Sequence, residues 1–140
     1  MAKNTQNARI PVKWVRDKAK SAYEKQATCY ICGTDKDLEL HHFHSVTLLL
    51  TAWAALRGHD ISTDAGICAV RDSFIAEHHD ELYNQVRTLC NPHHVALHAV
   101  FGKAPAANSV ERQSRWCDRQ KDKAAGRTVT ATQSFFSEFT

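Results

Sequence analysis

The stretch LCNPHHVALH, residues 89–98, decides the fold of this chain. Asn91-Pro92 is a strong helix start, with asparagine as the N-cap and proline at the first helical position. The residues before it, Val86 to Leu89, can form a short strand. The segment therefore predicts a strand that runs directly into a helix, which continues through His98 and ends at Gly102.

A second segment, CYIC at residues 29–32, contains a pair of possible metal ligands with the same spacing as a pair at the beginning of that helix. Cys29 and Cys32 have the spacing that lets two thiolates of one turn bind the same ion. Cys90 and His93 repeat this spacing later in the sequence. Together the four residues predict a closed, structural Zn²⁺ site, with His44 left open as an alternative fourth ligand. CxxC also occurs in redox folds, but no alternation of strands and helices surrounds it here.

Histidines supply a second cluster. Leu38 to Leu40 alternates as a short strand does, and it leads into His41, His42 and His44. His94 and His98 are four residues apart and share one helix face. An i,i+4 pair with a third histidine can form an open site for a divalent ion. The alternative is a set of surface or core histidines.

The remaining chain predicts helices and two basic flanks. Helices are expected over 11–26, 45–57, 66–83 and 109–123, before a Thr/Ser-rich tail with three phenylalanines. In the helix over 45–57 we expect Leu56 on the buried side. Cys68 and Cys117 are predicted to be buried thiols, and His59, His78 and His79 to be solvated.

Charge is concentrated in the flanks. The net charge is +3, but residues 1–25 carry seven basic and two acidic side chains, and residues 103–127 carry seven and three. Such flanks can hold a polyanion, although solvated helix charge is an equal alternative. No apolar run has the length of a membrane span, and the N-terminus lacks an apolar signal core, so we expect an intracellular protein without membrane contact. The candidate nucleic-acid contacts are Lys13, Lys18, Lys20, Arg112, Arg115 and Arg119.

The order CYIC, LELHHF, LCNPHHVALH resembles the zinc-bound subclass of HNH (ββα-metal) endonucleases, and the helix end LHAVFGK resembles small phage-type members. The resemblance covers roughly residues 27–103. It implies an α+β fold, with a ββα-metal core and a zinc knot surrounded by three or four helices. It also implies that His42 is the general base and that His41, His98 and His94 bind the catalytic ion. Asn84, beside Gln85, is our choice for the middle asparagine of the motif.

The resemblance predicts a single nuclease domain, 1–140. It comprises a basic helix 1–26, a core 27–103 with a helical insertion 45–83, and a helix and tail 104–140. The predicted function is metal-dependent cleavage of DNA in the cytoplasm, as a nick or a double-strand cut. The expected catalytic ion is Mg²⁺ or Mn²⁺, with Ni²⁺ or Zn²⁺ as alternatives. A zinc-stapled binding module without catalysis and an RNA-directed nuclease are the rival functions, and homodimerisation is left open.

Overall fold

In the computed structural model, residues 9–126 are described, and they divide into two units. The helical unit contains residues 9–24, 42–86 and 104–107. The ββα unit contains residues 25–41, 87–103 and 108–126. The single domain predicted for residues 1–140 stays a prediction. The helix-and-sheet composition shows the α+β class that the sequence predicts.

The helical unit is built from three α-helices. Helix α1 spans Arg9–Ala19 and passes into a 3₁₀ turn at Lys20–Ala22. Helix α2 spans Val46–Arg57, and helix α3 spans Asp64–Glu77. A π-helical turn follows at Asp80–Asn84.

Local signals set the ends of α2 and α3. The Ser45 hydroxyl accepts a hydrogen bond from the backbone of Leu48, which caps the start of α2. Gly58 ends that helix in the left-handed conformation, at φ 72°. Thr63 caps α3 in the same way as Ser45 caps α2, by accepting from the backbone of Gly66. Both helices therefore begin where a hydroxyl side chain satisfies an otherwise unpaired backbone N–H.

The core of the helical unit comes from the apolar faces of these helices. Its buried members are Val12, Val15, Val46, Leu50, Trp53, Ala54, Ile67, Phe74 and Leu82.

Four predictions about these helices are wrong in detail. The first helix ends well before Gln26, and the helix predicted over 66–83 is interrupted before its π-helical turn. Leu56 is 84% exposed, because it lies about 100° around α2 from the stripe centred on Leu50 and Trp53. Cys68 is exposed, since it follows the buried Ile67 by one residue on α3.

The ββα unit contains the junction that the sequence predicts. Strands β1 (Leu38–His42) and β2 (Val86–Cys90) pair in a two-stranded sheet. The Asn91 backbone N–H donates to Asp37 O at 2.8 Å, beyond the ends of the two strands, which gives an antiparallel register. The final residue of β1, His42, and the first residue of β2, Val86, belong to the helical unit.

Helix α4 (Asn91–Phe101) follows β2 without a loop, and α5 (Val110–Ala124) packs against it. The N-cap position is Cys90, one residue before the predicted Asn91, and Pro92 lies in the first turn. Buried apolar residues of this unit include Ile31, Leu89, Leu97, Trp116 and Cys117, which confirms the prediction that Cys117 is buried.

The turn that carries the CxxC pair is held to β2. Tyr30 N–H donates to Thr88 O at 2.9 Å, and Gly33 N–H donates back to Cys29 O at 2.9 Å. Gly33 has φ 76°, a conformation that glycine adopts without steric cost. The turn and the strand therefore form one hydrogen-bonded element of the ββα unit.

Among residues 9–126, no helix is long and apolar enough to cross a membrane. The prediction for the phenylalanine-containing tail lies outside the described residues, as do the first eight residues of the predicted basic helix.

Candidate metal centres

The structure brings the four predicted zinc ligands together in the ββα unit. Cys29 and Cys32 come from the turn before β1, Cys90 ends β2, and His93 lies in the first turn of α4. Their four ligand atoms all lie within 4.8 Å of one another. Cys32 Sγ is 3.8 Å from Cys90 Sγ, and Cys90 Sγ is 3.3 Å from His93 Nδ1. His44, the alternative fourth ligand, hydrogen-bonds Gln85 instead.

This geometry fits a tetrahedral zinc ion. With Zn–S bonds of about 2.3 Å, two sulfurs of a tetrahedron are about 3.8 Å apart. Burial works against the Cys29 thiolate, but backbone N–H groups of Cys32, Cys90 and Ile31 outweigh it and lower the pKa of Cys29. Burial and the neighbouring thiols raise the pKa of Cys90 to about 11. A bound divalent cation would remove this penalty, because it stabilises thiolates directly.

Three imidazoles form a second cluster in the same unit. His41 belongs to β1, and His94 and His98 lie one turn apart on α4. His41 Nδ1 and His98 Nε2 each lie 3.1 Å from His94 Nε2. His41 is 1% exposed, and the other two rings are half-buried.

An acceptor on the far side of each ring fixes its tautomer. His41 Nε2 donates to Gln113 Oε1 at 2.7 Å, His94 Nδ1 donates to Glu39 Oε1 at 2.8 Å, and His98 Nδ1 donates to Gly102 O at 2.7 Å. A carbonyl or carboxylate oxygen only accepts, so the proton of each neutral ring lies on that nitrogen. The lone pairs of the other three nitrogens therefore point toward one another.

Three converging lone pairs fit a divalent cation. In the absence of a positive charge they repel, whereas a metal ion accepts all three. With metal–nitrogen bonds of about 2.1 Å, the 3.1 Å separations correspond to angles of about 95° at the metal. These two angles are nearer to those between adjacent ligands of an octahedron than to those of a tetrahedron. Such an arrangement leaves coordination positions for water and substrate.

Sequence reasoning missed the outer partners of these rings. Glu39 accepts hydrogen bonds from Asn91 Nδ2 at 3.0 Å and from His94, and these two bonds lower the pKa of its carboxyl group. Its position two residues before His41 on a strand was a usable signal, because alternate residues share a face. Gln113 lies far along the chain on α5, and only its polar character on an apolar helix stripe could have marked it.

His42, the predicted general base, lies in the helical unit. Its Nε2 donates to the backbone oxygen of Leu82 at 2.9 Å, and its ring packs at a 5.1 Å centroid distance from Tyr23. Because the carbonyl accepts, the proton of the neutral ring lies on Nε2 and the basic lone pair lies on Nδ1. The ring is half-buried.

Asn84 and Gln85 have different surroundings in that unit. The exposed Asn84 donates to Asp80 Oδ1 at 3.0 Å. The Gln85 backbone oxygen accepts from Phe43 N–H at 3.2 Å, and its side-chain oxygen accepts from His44 Nε2 at 2.7 Å. Gln85, rather than the predicted Asn84, therefore contacts the segment that follows His42.

The side chains predicted to contact nucleic acid lie on helices, and most of them form weak ion pairs or hydrogen bonds. In α1, Lys13 pairs with Asp17 at 2.8 Å, and Lys18 lies 4.0 Å from Asp72. Lys20, in the 3₁₀ turn that follows α1, lies 4.0 Å from Asp17. In α5, Arg115 pairs with Glu111 at 3.5 Å, and the Arg112 guanidinium donates to Asn108 O. Arg119 is exposed on the same helix. Exposed ion pairs of this kind contribute little stability, so these basic side chains can exchange their carboxylate partners for phosphate groups.

The two clusters define a small α+β protein with two candidate metal centres, one rich in thiolates and one made of imidazoles only. Comparison with protein families shows which family the chain belongs to. Residues 1–130 match the model of the phage T5 nicking endonuclease family. The chain belongs to this family and is a DNA endonuclease, a hydrolase of phage type. No solved structure matches the chain.

Proposed function

We propose that this protein is a metal-dependent DNA endonuclease of the HNH type that cuts at the imidazole cluster. The observation that carries the proposal is the convergence of three imidazole lone pairs, each ring held from behind by an acceptor. A purely structural role for His94 would not explain two other imidazole nitrogens at 3.1 Å from its Nε2, with all three lone pairs directed inward. Mg²⁺ or Mn²⁺ is the proposed catalytic ion, with Ni²⁺ and Zn²⁺ as tighter-binding alternatives.

In this proposal each residue has a separate task. A divalent ion held by His41, His94 and His98 would supply Lewis acidity to the scissile phosphate and its leaving oxygen. His42 follows His41 directly in the chain and accepts a proton from the attacking water at Nδ1. Leu82 O keeps the opposite nitrogen protonated, which prevents the ring from presenting the wrong tautomer. Gln85, through His44 and Phe43, holds the segment that follows the base; Asn84 stays the alternative for this role.

The thiolate cluster serves a structural role in the same proposal. Cys29, Cys32, Cys90 and His93 would hold a Zn²⁺ ion, which would join the CxxC turn to the start of α4, the helix that carries two of the three imidazoles. Structural zinc sites contribute folding free energy directly. The imidazoles of α4 are thereby kept in place before an ion or substrate binds.

The expected product is a nick in duplex DNA. Residues 9–126 contain one imidazole cluster, which suffices for one phosphodiester cut per chain. The family is named for nicking. In each unit, DNA phosphates would contact the basic side chains predicted for that role, Lys13, Lys18 and Lys20 in the helical unit and Arg112, Arg115 and Arg119 in the ββα unit, with the substrate met in the cytoplasm of an infected cell.

A plasmid-nicking assay tests this function. The protein is loaded with one equivalent of zinc, the second ion is removed with a weak chelator, and Mg²⁺, Mn²⁺ or Ni²⁺ is added singly. Wild type should convert supercoiled plasmid to open circles with at least one ion, and His42→Ala should lose about 10²–10⁴-fold in rate. His79→Ala, an exposed histidine outside both clusters, is the matched control and should cut normally.

Equal cutting by wild type and His42→Ala would remove His42 from the mechanism. The absence of cutting with every ion, with DNA binding retained, would favour a zinc-stapled binding module without catalysis. Faster digestion of RNA than of plasmid would favour an RNA-directed nuclease. These outcomes separate the proposal from both rivals.

A further inference from the structure

A fully buried glutamine stands behind one ligand of the imidazole cluster. Gln113 lies on α5, is 0% exposed, and accepts from His41 Nε2 at 2.7 Å. Its amide nitrogen donates to the Ser109 hydroxyl one turn earlier, at 2.9 Å. The amide is thus oriented from both ends, with its oxygen toward the histidine.

The position of this glutamine is unusual for its helix. The neighbouring buried residues of α5 are apolar, Trp116 and Cys117, and Gln113 lies on the same stripe. Burying an amide there costs free energy unless it is hydrogen-bonded. A polar residue at such a position typically marks a site with a specific task.

We infer that Gln113 is a positioning residue that fixes His41 in the tautomer whose Nδ1 binds the catalytic ion. The inference rests on the proposed function, because it assigns an ion to the imidazole cluster. Without an acceptor at Nε2, the His41 ring can carry its proton on Nδ1, and that tautomer cannot bind the ion. Groups behind a metal-bound histidine also restrict ring rotation and raise the basicity of the ligand.

The test measures ion binding rather than cutting. Zinc-loaded protein is titrated with Co²⁺ by calorimetry and visible absorption, because Co²⁺ at imidazoles alone gives no thiolate charge-transfer band. Gln113→Leu removes the acceptor at similar volume and should weaken Co²⁺ binding about 10–100-fold. Gln113→Glu restores an acceptor, and the Ser109 hydroxyl can donate to it, so binding should return to within a few-fold of wild type. Gln120→Leu, the same change two turns along α5, is the control and should leave binding unchanged.

Three outcomes are distinguishable. Weak Co²⁺ binding in Gln113→Leu with normal binding in Gln113→Glu and Gln120→Leu supports the inference. Equal binding in all variants overturns it while leaving the proposed function intact, whereas no Co²⁺ binding by wild type overturns the proposed function itself. If Gln113→Leu does not fold, as judged by zinc content, the His41 tautomer of wild type is determined by nitrogen NMR. A proton on Nδ1 in the zinc-loaded protein without a second ion would then refute the inference, and a proton on Nε2 would support it.

Discussion

Replacing His93 and His94 singly by alanine separates the two candidate metal centres. The two residues are consecutive on α4, yet His93 belongs to the thiolate cluster and His94 to the imidazole cluster. We expect His93→Ala to weaken zinc binding and lower stability. We expect His94→Ala to keep its zinc and its fold but to lose cutting.

The magnitude for His93 follows from its place among four ligands. Structural zinc sites bind with apparent free energies of about 10–16 kcal/mol at neutral pH, so an equal share per ligand is about 2.5–4 kcal/mol. At about 1.4 kcal/mol per tenfold, this is a loss of about 10²–10³ in zinc affinity. The 3.3 Å contact between Cys90 Sγ and His93 Nδ1 supports a full ligand rather than a distant neighbour. His93→Cys offers a thiolate in place of the imidazole and should retain zinc.

Zinc affinity is measured by competition with a chromophoric chelator, together with the melting temperature and plasmid nicking. His94→Ala should hold one zinc with the affinity of wild type. His79→Ala serves again as the control. A result in which His93→Ala binds zinc normally while His94→Ala loses it would reverse the assignment of the two residues and refute the reasoning.

Three further predictions concern other parts of the chain. Gly66→Ala should lower the free energy of unfolding by about 1–3 kcal/mol in denaturant melts, because an added Cβ would lie 2.2 Å from Asp60 O; unchanged stability would show that the start of α3 can move. A thiol reagent should label the exposed Cys68 quickly in the zinc-loaded native protein, and the buried Cys117 only after unfolding. The reverse order would contradict the exposure of Cys68 and the burial of Cys117. The double variant Arg112→Ala/Arg119→Ala should weaken the binding of all DNA sequences. The slope of log affinity against log salt concentration should become smaller by about 0.9 for each phosphate that the variant no longer neutralises. An unchanged slope would show that DNA does not contact these two residues.

Much of the fold could be predicted because its signals are local. Ser45 and Gly58 mark the ends of α2, and Pro92 marks the start of α4, within a residue of where the structure has them. The errors arise where packing decides. Leu56 is apolar yet 84% exposed, since burial depends on which face of α2 meets the core and not on residue type alone.

The candidate ligands were also predictable, and their supporting residues were less so. Cys29, Cys32, Cys90 and His93 follow spacing rules that hold for any chain, and the His94–His98 pair follows from the helical repeat. Gln113 acts on His41 from 72 positions away in sequence. No periodicity connects those two residues, because the packing of α5 brings them together.

The consecutive placement of His93 and His94 limits how this protein can vary in length. One residue inserted into a helix turns everything after it by about 100°. An insertion or deletion between Cys90 and His98 would therefore rotate at least one ligand out of its cluster. Residues 43–85, between the two strands, contain none of the ligands of the two clusters, so no ligand orientation depends on the number of residues there. We expect natural relatives to gain and lose residues there while keeping the interval from Cys90 to His98 fixed.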